Sequence, residues 1–126
     1  MDTELEKVFV RHFVITGRQE RATFLLNSKK KRREFFGQID SYLRKELFVQ
    51  YRVAAYDEMY DILRKNGAPD TCYLMSRYKS FDGIKMRLND VFQNEDIYYN
   101  VDLIVCIPDK LAYYPDEDFN KFLLKY

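Results

Sequence analysis

The sequence has little of the material from which metal sites are built. It holds one histidine, His12, and two cysteines, Cys72 and Cys106, with no C-x-x-C pair. Zinc sites use several Cys and His ligands at short spacing, so we expect no bound metal and no other cofactor. Each cysteine lies in an apolar stretch, which favours buried free thiols in a reducing cytoplasm. His12 lies beside the apolar residues of the first predicted helix and is interpreted as structural.

Glycine is also sparse, and its placement excludes phosphate-binding loops. The four glycines are at positions 17, 37, 67 and 83, and no G-x-G-x-x-G or G-x-x-x-x-G-K-[ST] motif occurs. G-x-S-x-G, the motif of a hydrolase nucleophile, is missing as well. No acid stands two residues before a lysine, as the Asp/Glu-x-Lys element of metal-dependent nucleases requires. We therefore assign no catalytic residue, and the sequence favours a non-enzymatic protein.

Long apolar runs and a secretory start are absent too. No apolar run approaches the roughly 20 residues of a membrane-spanning helix, so we expect no membrane insertion. The first residues, MDTELE, lack the basic and apolar regions of a signal peptide. The chain has 126 residues, of which 47% are hydrophobic, and this predicts a single domain covering 1–126. Tryptophan is missing, but 11 Tyr and 10 Phe are typical of a Tyr-rich sheet.

Helical periodicity dominates the first part of the chain. Thr3 and Glu6 have the spacing of a capping box at the start of a first helix, which is expected to end near Gly17. Residues 18–27 predict a second helix. The apolar stripe from Lys29 to Leu47 predicts one long third helix, with Ser28 as its N-cap.

Strand patterns follow. Alternation over 49–55 predicts a strand. Residues 58–66 are predicted to form a helix capped by Asp57, and residues 71–78 are predicted to form a second strand. The apolar centre of 97–107 predicts a central strand buried on both faces, with 111–114 as its hairpin partner. Residues 84–94 and 119–126 could each be helix or strand. The order favours an α+β fold, with N-terminal helices packed on a mainly antiparallel sheet formed by the C-terminal half.

Charge is nearly balanced overall, at +1, but is divided between two segments. Residues 17–45 hold nine Lys or Arg and three acids, whereas residues 95–118 hold seven acids and one Lys. A basic run at residues 29–33 falls where the long third helix is predicted to begin, and cations are disfavoured at that end of a helix. A bound anion would explain them. The candidate anion- or partner-binding residues are Arg18, Arg21, Lys29, Lys30, Lys31, Arg32 and Arg33.

These residues lead to a best hypothesis and three alternatives. The best is an interaction domain whose basic face docks an acidic protein or a phosphate-bearing ligand. Nucleic-acid backbone binding is the first alternative, although the pI of 7.7 is below that of most nucleic-acid-binding domains. The second is an enzyme acting on a phosphorylated small molecule, with Asp82 or Asp102 as general base. The third is self-association between the basic and acidic segments.

Overall fold

The computed structural model describes residues 1–52 and 55–126. Within these residues, one six-stranded sheet carries helices on both faces. The helices are α1 (Thr3–Phe13), α2 (Gln19–Asn27), α3 (Arg32–Gly37), α4 (Ile39–Tyr42), α5 (Tyr56–Lys65), α6 (Leu88–Phe92) and α7 (Glu95–Tyr98). The strands are β1 (Phe48–Tyr51), β2 (Thr71–Met75), β3 (Lys85–Arg87), β4 (Leu103–Ile107), β5 (Leu111–Pro115) and β6 (Lys121–Lys125).

The sheet is antiparallel throughout, in the order β1-β6-β5-β4-β2-β3. The α+β fold class and the antiparallel sheet are therefore confirmed. Strand β4 lies inside the sheet, and its residues 103–106 are buried, as its continuous apolar sequence predicts. Strand β5 returns beside it as the predicted hairpin partner. Residues 121–125 form a strand, which settles the ambiguity at the end of the chain.

Alternation along the strands divides the core into two layers. Neighbouring strand residues point to opposite faces, so Tyr73 and Tyr114 join the cluster of helices α1 to α4, whereas Leu74 and Tyr113 join the cluster of α5 to α7. The sequence pattern predicts helices on the sheet, and the structure adds that they cover both of its faces.

The first helix is capped differently from the prediction. Asp2 is the N-cap, and its Oδ1 accepts a hydrogen bond from the backbone N–H of Leu5 at 3.0 Å. Glu6 is buried and is used elsewhere, so the predicted capping box of Thr3 and Glu6 is wrong. The helix ends at Phe13 rather than near Gly17.

The predicted long helix over 29–47 is also wrong. The chain forms two short helices, α3 and α4, followed by a 3-10 turn at Lys45–Leu47. Leu43 is extended and pairs with Val14 in an isolated antiparallel bridge. Because this contact needs extended backbone, it ends the helix, although the apolar stripe remains buried as its periodicity predicts.

Other boundaries shift by a few residues. Strand β2 ends at Met75, the N-cap of α5 is Ala55 rather than Asp57, and 84–94 contain both β3 and α6. Residues 95–98 form α7 ahead of the central strand. The predicted strand at 49–55 appears as β1, and residues 53 and 54 lie outside the described residues.

Candidate anion-binding site

Arg32, in the middle of the basic run, is buried and forms ion pairs inside the protein. Its guanidinium forms paired hydrogen bonds with Glu6, at 2.7 and 2.9 Å, and with Asp82, also at 2.7 and 2.9 Å. Nη1 also donates to the carbonyl of Leu26 at 2.8 Å. All five N–H donors of the side chain therefore have an acceptor, and Arg32 has no donor left for an external anion.

The two carboxylates that hold Arg32 have further donors. The hydroxyl of Tyr73 donates to Oε2 of Glu6 at 2.6 Å, and the backbone N–H of Ser76 donates to Oδ1 of Asp82 at 3.1 Å. Burial opposes the charge on Arg32, but the hydrogen bonds to Asp82 and Glu6 outweigh it and raise the arginine pKa above its ordinary value. The guanidinium therefore stays charged, and we call this group the Arg32 cluster.

Lys29 and Arg33 lie on either side of the buried arginine, and both are exposed. They line a pocket of about 290 Å³ together with Arg77 and Lys79, which come from the turn after β2. We call it the basic pocket. Its lining residues are Met1, Lys29, Arg32, Arg33, Ser76, Arg77, Lys79 and Asp82.

Three of these cations have unused charge. Within the described residues, Lys29, Arg33 and Lys79 have no carboxylate within 4 Å. Ammonium and guanidinium groups bind phosphate and carboxylate through charge-assisted hydrogen bonds. The basic pocket therefore has the donors and the charge to hold an anionic group.

Arg77 is held in place by Asp102. Its Nη2 donates to Oδ1 of Asp102 at 2.9 Å, and its backbone N–H donates to Oδ2 at 2.7 Å. The hydrogen bond to Asp102 raises the pKa of Arg77. Burial raises the pKa of Asp102, although the bonds from Arg77 act in the opposite direction. This pair fixes one wall of the basic pocket.

Arg21 and Lys31 lie around a different feature, the exposed ring of Phe24. The Arg21 guanidinium is 5.4 Å and the Lys31 ammonium 5.0 Å from the ring centroid. The Phe24 side chain is 51% exposed, and Arg21 also pairs loosely with Glu34 at 3.8 Å. Lys30 is exposed on the adjoining turn. We call Phe24 with Arg21 and Lys31 the Phe24 patch.

Arg18 is separate from the other predicted residues. It donates to the carbonyl of Ser41 at 2.8 Å and stacks over Tyr42 at 4.3 Å. It lines a cavity of about 600 Å³ that also includes the acidic residues 116–118. One residue of the basic segment and three of the acidic segment therefore line the same cavity.

The structure thus places the seven predicted residues in distinct surroundings and adds two residues that the sequence analysis did not include. Arg77 and Lys79 are more than 40 positions away from the basic run, and the α3 region and the turn after β2 bring them together. The available signal was weak, because Arg77 falls inside the strand predicted over 71–78 and only Lys79 follows it, at a common place for exposed turn residues.

The carboxylates of the enzyme hypothesis are both engaged by arginines. Asp82 lines the basic pocket, but its oxygens accept from Arg32 and Ser76. Asp102 accepts from Arg77. A general base must accept a proton from the substrate, and pairing with an arginine makes each of these carboxylates a weaker proton acceptor.

Residues 1–52 and 55–126 contain no group of three His, Cys, Asp or Glu side chains placed to share a metal ion. Over those ranges, no helix has both the length and the apolar character needed to cross a membrane. Comparisons with protein-family models, curated proteins and solved structures found no match.

Proposed function

We propose that this protein is a non-enzymatic interaction domain whose basic pocket docks an anionic group of a partner, either a phosphate or a carboxylate of an acidic protein. The supporting observation is the convergence of Lys29, Arg33 and Lys79 on one pocket from two distant parts of the chain. The buried Arg32 cluster holds these two parts together, so the donors are positioned before the partner arrives. Such preorganisation reduces the entropy lost on binding.

Binding of labelled anionic probes would test this proposal. Fluorescence anisotropy should detect binding of a phosphoserine peptide or a poly-aspartate peptide at low salt. The triple variant Lys29→Glu, Arg33→Glu, Lys79→Glu should weaken that binding at least about tenfold, because each charge-assisted hydrogen bond contributes roughly 1.5–3 kcal/mol. Arg32 is left unchanged, because its reversal would add a third carboxylate to the Arg32 cluster.

A matched control separates the pocket from general charge. The triple variant Arg87→Glu, Lys110→Glu, Lys125→Glu alters three exposed cations elsewhere and gives the same change in net charge. It should retain most of the affinity. Equal losses in both triple variants would show that net charge acts alone, and no binding of any anionic probe at low salt would end the proposal.

Nucleic-acid backbone binding is a second candidate, supported by the Phe24 patch. An exposed aromatic ring between two cations can stack on an unpaired base while the cations contact phosphates. In the same assay with single- and double-stranded DNA and RNA, log affinity should fall steeply with log salt. Phe24→Ala should weaken single-strand binding and leave peptide binding unchanged. A shallow salt dependence, or an unaffected Phe24→Ala variant, would remove this candidate.

Self-association through the two charged segments remains a hypothesis. Arg18 and residues 116–118 line one cavity of a single chain, and a second copy would have to bring further groups of opposite charge together. Sedimentation velocity at low salt and high concentration tests it, and a purely monomeric profile would exclude it. We also propose that the protein works in the cytoplasm, because free buried thiols such as Cys72 and Cys106 suit a reducing compartment.

A further inference from the structure

Another pocket, which shares Arg77 with the basic pocket, has mainly aromatic walls. Its volume is about 330 Å³, at the lower end of the range of roughly 300–1,000 Å³ for small-molecule sites. We call it the tyrosine pocket. Its aromatic lining residues are Tyr56, Tyr78, Tyr98, Tyr99, Tyr113 and Phe119.

The hydroxyl of Tyr113 is the first sign of a ligand. Tyr113 is 0% exposed, and within the described residues its hydroxyl has no hydrogen-bond partner. Buried polar groups are almost always satisfied, and an unsatisfied one costs free energy. A phenylalanine would fill the same space without that cost. The hydroxyl therefore has hydrogen-bonding capacity that the fold does not use.

The walls of the pocket have aromatic faces and charged groups of both signs, namely the cations of Arg77 and Lys121 and the carboxylates of Asp102, Asp116 and Glu117. The rings of Tyr56 and Tyr98 stack with centroids 3.7 Å apart, and Tyr99 meets Tyr56 edge-on at 5.4 Å. The Lys121 ammonium lies 5.0 Å from the Tyr56 centroid. In the part of the chain that the structure describes, it has no carboxylate within 4 Å.

Phe119 is the second sign. Among the described residues it is the one non-glycine residue with positive φ, at 63°, and it is 69% exposed. Asp116 holds its loop, since Oδ1 accepts from the backbone N–H groups of Asp118 and Asn120 at 3.0 and 2.8 Å. A left-handed backbone is unusual for a bulky residue, and here it closes the β5–β6 loop while presenting an apolar ring to water; backbone strain of this kind clusters at functional sites.

We propose that the tyrosine pocket binds a small planar aromatic molecule that carries a hydrogen-bond acceptor. The ring packs between Phe119 and the tyrosine cluster, and the acceptor receives hydrogen bonds from the Tyr113 hydroxyl and the Lys121 ammonium. The acceptor can belong to an aromatic carboxylate or to a nucleobase.

Ligand titrations monitored by NMR would distinguish these sources. The probes are benzoate, uridine, and cyclohexanecarboxylate, which has the carboxylate without the aromatic ring. Benzoate or uridine should shift the resonances of Tyr113 and Phe119 with millimolar affinity, as expected for so small a ligand, and cyclohexanecarboxylate should not. Benzoate binding identifies a carboxylate ligand, and uridine binding identifies a nucleobase. Absence of a shift with both aromatic probes, or equal binding of the saturated acid, would overturn the proposal.

The Tyr113→Phe variant tests the role of the hydroxyl with two readouts of opposite sign. It should weaken binding of the aromatic probe about three- to tenfold, the worth of one hydrogen bond. It should also raise the melting temperature of the unliganded protein, because the unsatisfied group is gone. Unchanged affinity in this variant would contradict the proposed contact.

Two control variants locate the binding. Tyr114→Phe removes a hydroxyl from the adjacent residue, which belongs to the opposite core layer, and should bind the aromatic probe normally. The triple variant Lys29→Glu, Arg33→Glu, Lys79→Glu should also bind the aromatic probe normally. Normal binding by this variant would separate the tyrosine pocket from the proposed anion site. A loss in either control equal to that of Tyr113→Phe would count against the tyrosine pocket.

Discussion

At the scale of single residues, Arg32 joins parts of the chain that are far apart in sequence. Glu6 lies 26 positions before it and Asp82 lies 50 positions after it. Through these contacts, helix α1, the end of α2 and the turn after β2 are fixed to one guanidinium. The basic pocket is built on the same residues, so its shape depends on a buried ion cluster.

Removing the charge of Arg32 should strongly destabilise the protein. In Arg32→Met the volume is nearly kept, but Glu6 and Asp82 remain buried without their cation. Breaking a buried ion pair in this way typically costs about 3–5 kcal/mol. The free energy of unfolding from urea titrations, monitored by circular dichroism, would measure the loss.

Arg33→Met is the matched control, because Arg33 is the exposed neighbour in the same helix. It should change the free energy of unfolding by less than about 0.5 kcal/mol. Combining Arg32→Met with Glu6→Gln and Asp82→Asn should recover part of the stability, since no unpaired charge is left. A cost for Arg32→Met as small as that for Arg33→Met would show that the Arg32 cluster contributes little.

The burial of Arg32 could not be predicted from its surroundings in the sequence. A run of five cations is normally solvated, and nothing local distinguishes its fourth member. Arg32 is buried because it pairs with Glu6 and Asp82, and only the tertiary fold brings these two residues close to it. The predicted capping box at Glu6 is wrong for the same reason. Glu6 has the local spacing of a capping residue, but its actual partner, Arg32, is distant in the sequence.

At the scale of elements, Gly37 lies at the last position of α3, where the predicted long helix is broken. The backbone of Gly37 is helical, and a Cβ added there would meet no atom within 4 Å. Gly67, just after α5, has a φ of +97°, which L-residues rarely adopt. The backbone at Gly37 therefore suits a residue with a side chain, whereas the backbone at Gly67 favours glycine.

The same substitution should have opposite effects at these two positions. Gly37→Ala should stabilise the protein by about 0.4–1 kcal/mol, because alanine restricts the unfolded chain and fits the folded one. Gly67→Ala should destabilise it by about 1 kcal/mol, because alanine is strained at positive φ. Urea unfolding of both variants would show whether the free energy of unfolding rises in Gly37→Ala and falls in Gly67→Ala. A loss of stability in Gly37→Ala would mean that the break after α3 requires glycine.

Periodicity predicted which residues of this region are buried, but not where its helices end. Phe35, Phe36 and Tyr42 all lie in the core, as the stripe requires. Helix α3 nevertheless ends at Gly37, and α4 ends at Tyr42, after which Leu43 pairs with Val14 in another part of the chain. The strands were easier to predict, since β4 and β5 are adjacent in sequence and their pairing needs only a short turn.

At the scale of the whole molecule, the division of charge in the sequence does not become two separate poles. Arg18 lines the same cavity as residues 116–118, and Arg77 lies 3.9 Å from Glu117. The charge that remains available is local, in the basic pocket and the Phe24 patch. Net charge per segment could therefore indicate an anionic partner, but only the fold shows which cations face the same solvent pocket.

Stability should fall as the pH rises above about 9, because several buried groups resist ionisation. Burial raises the pKa of the Cys72 thiol from 9.0 to about 12 and that of Tyr56 from 10.0 to about 12. Burial also raises the pKa values of Tyr73, Tyr113 and Cys106. Once the pH exceeds the unfolded pKa, the unfolded chain loses protons that the folded chain keeps, and unfolding becomes easier. Urea titrations in steps from neutral to alkaline pH would measure this decline.

The thiols and phenols can be separated because their unfolded pKa values differ by about one unit. In a double variant, Cys72→Ala and Cys106→Ala, the decline should begin near pH 10 instead of near pH 9, since only phenols remain to ionise. Thiol-reactive dyes give an independent check, because a buried thiol of high pKa is unreactive until the protein unfolds. Rapid labelling of Cys72 in the folded protein, or an unchanged onset in the double variant, would show that these thiols are not protected as the structure places them.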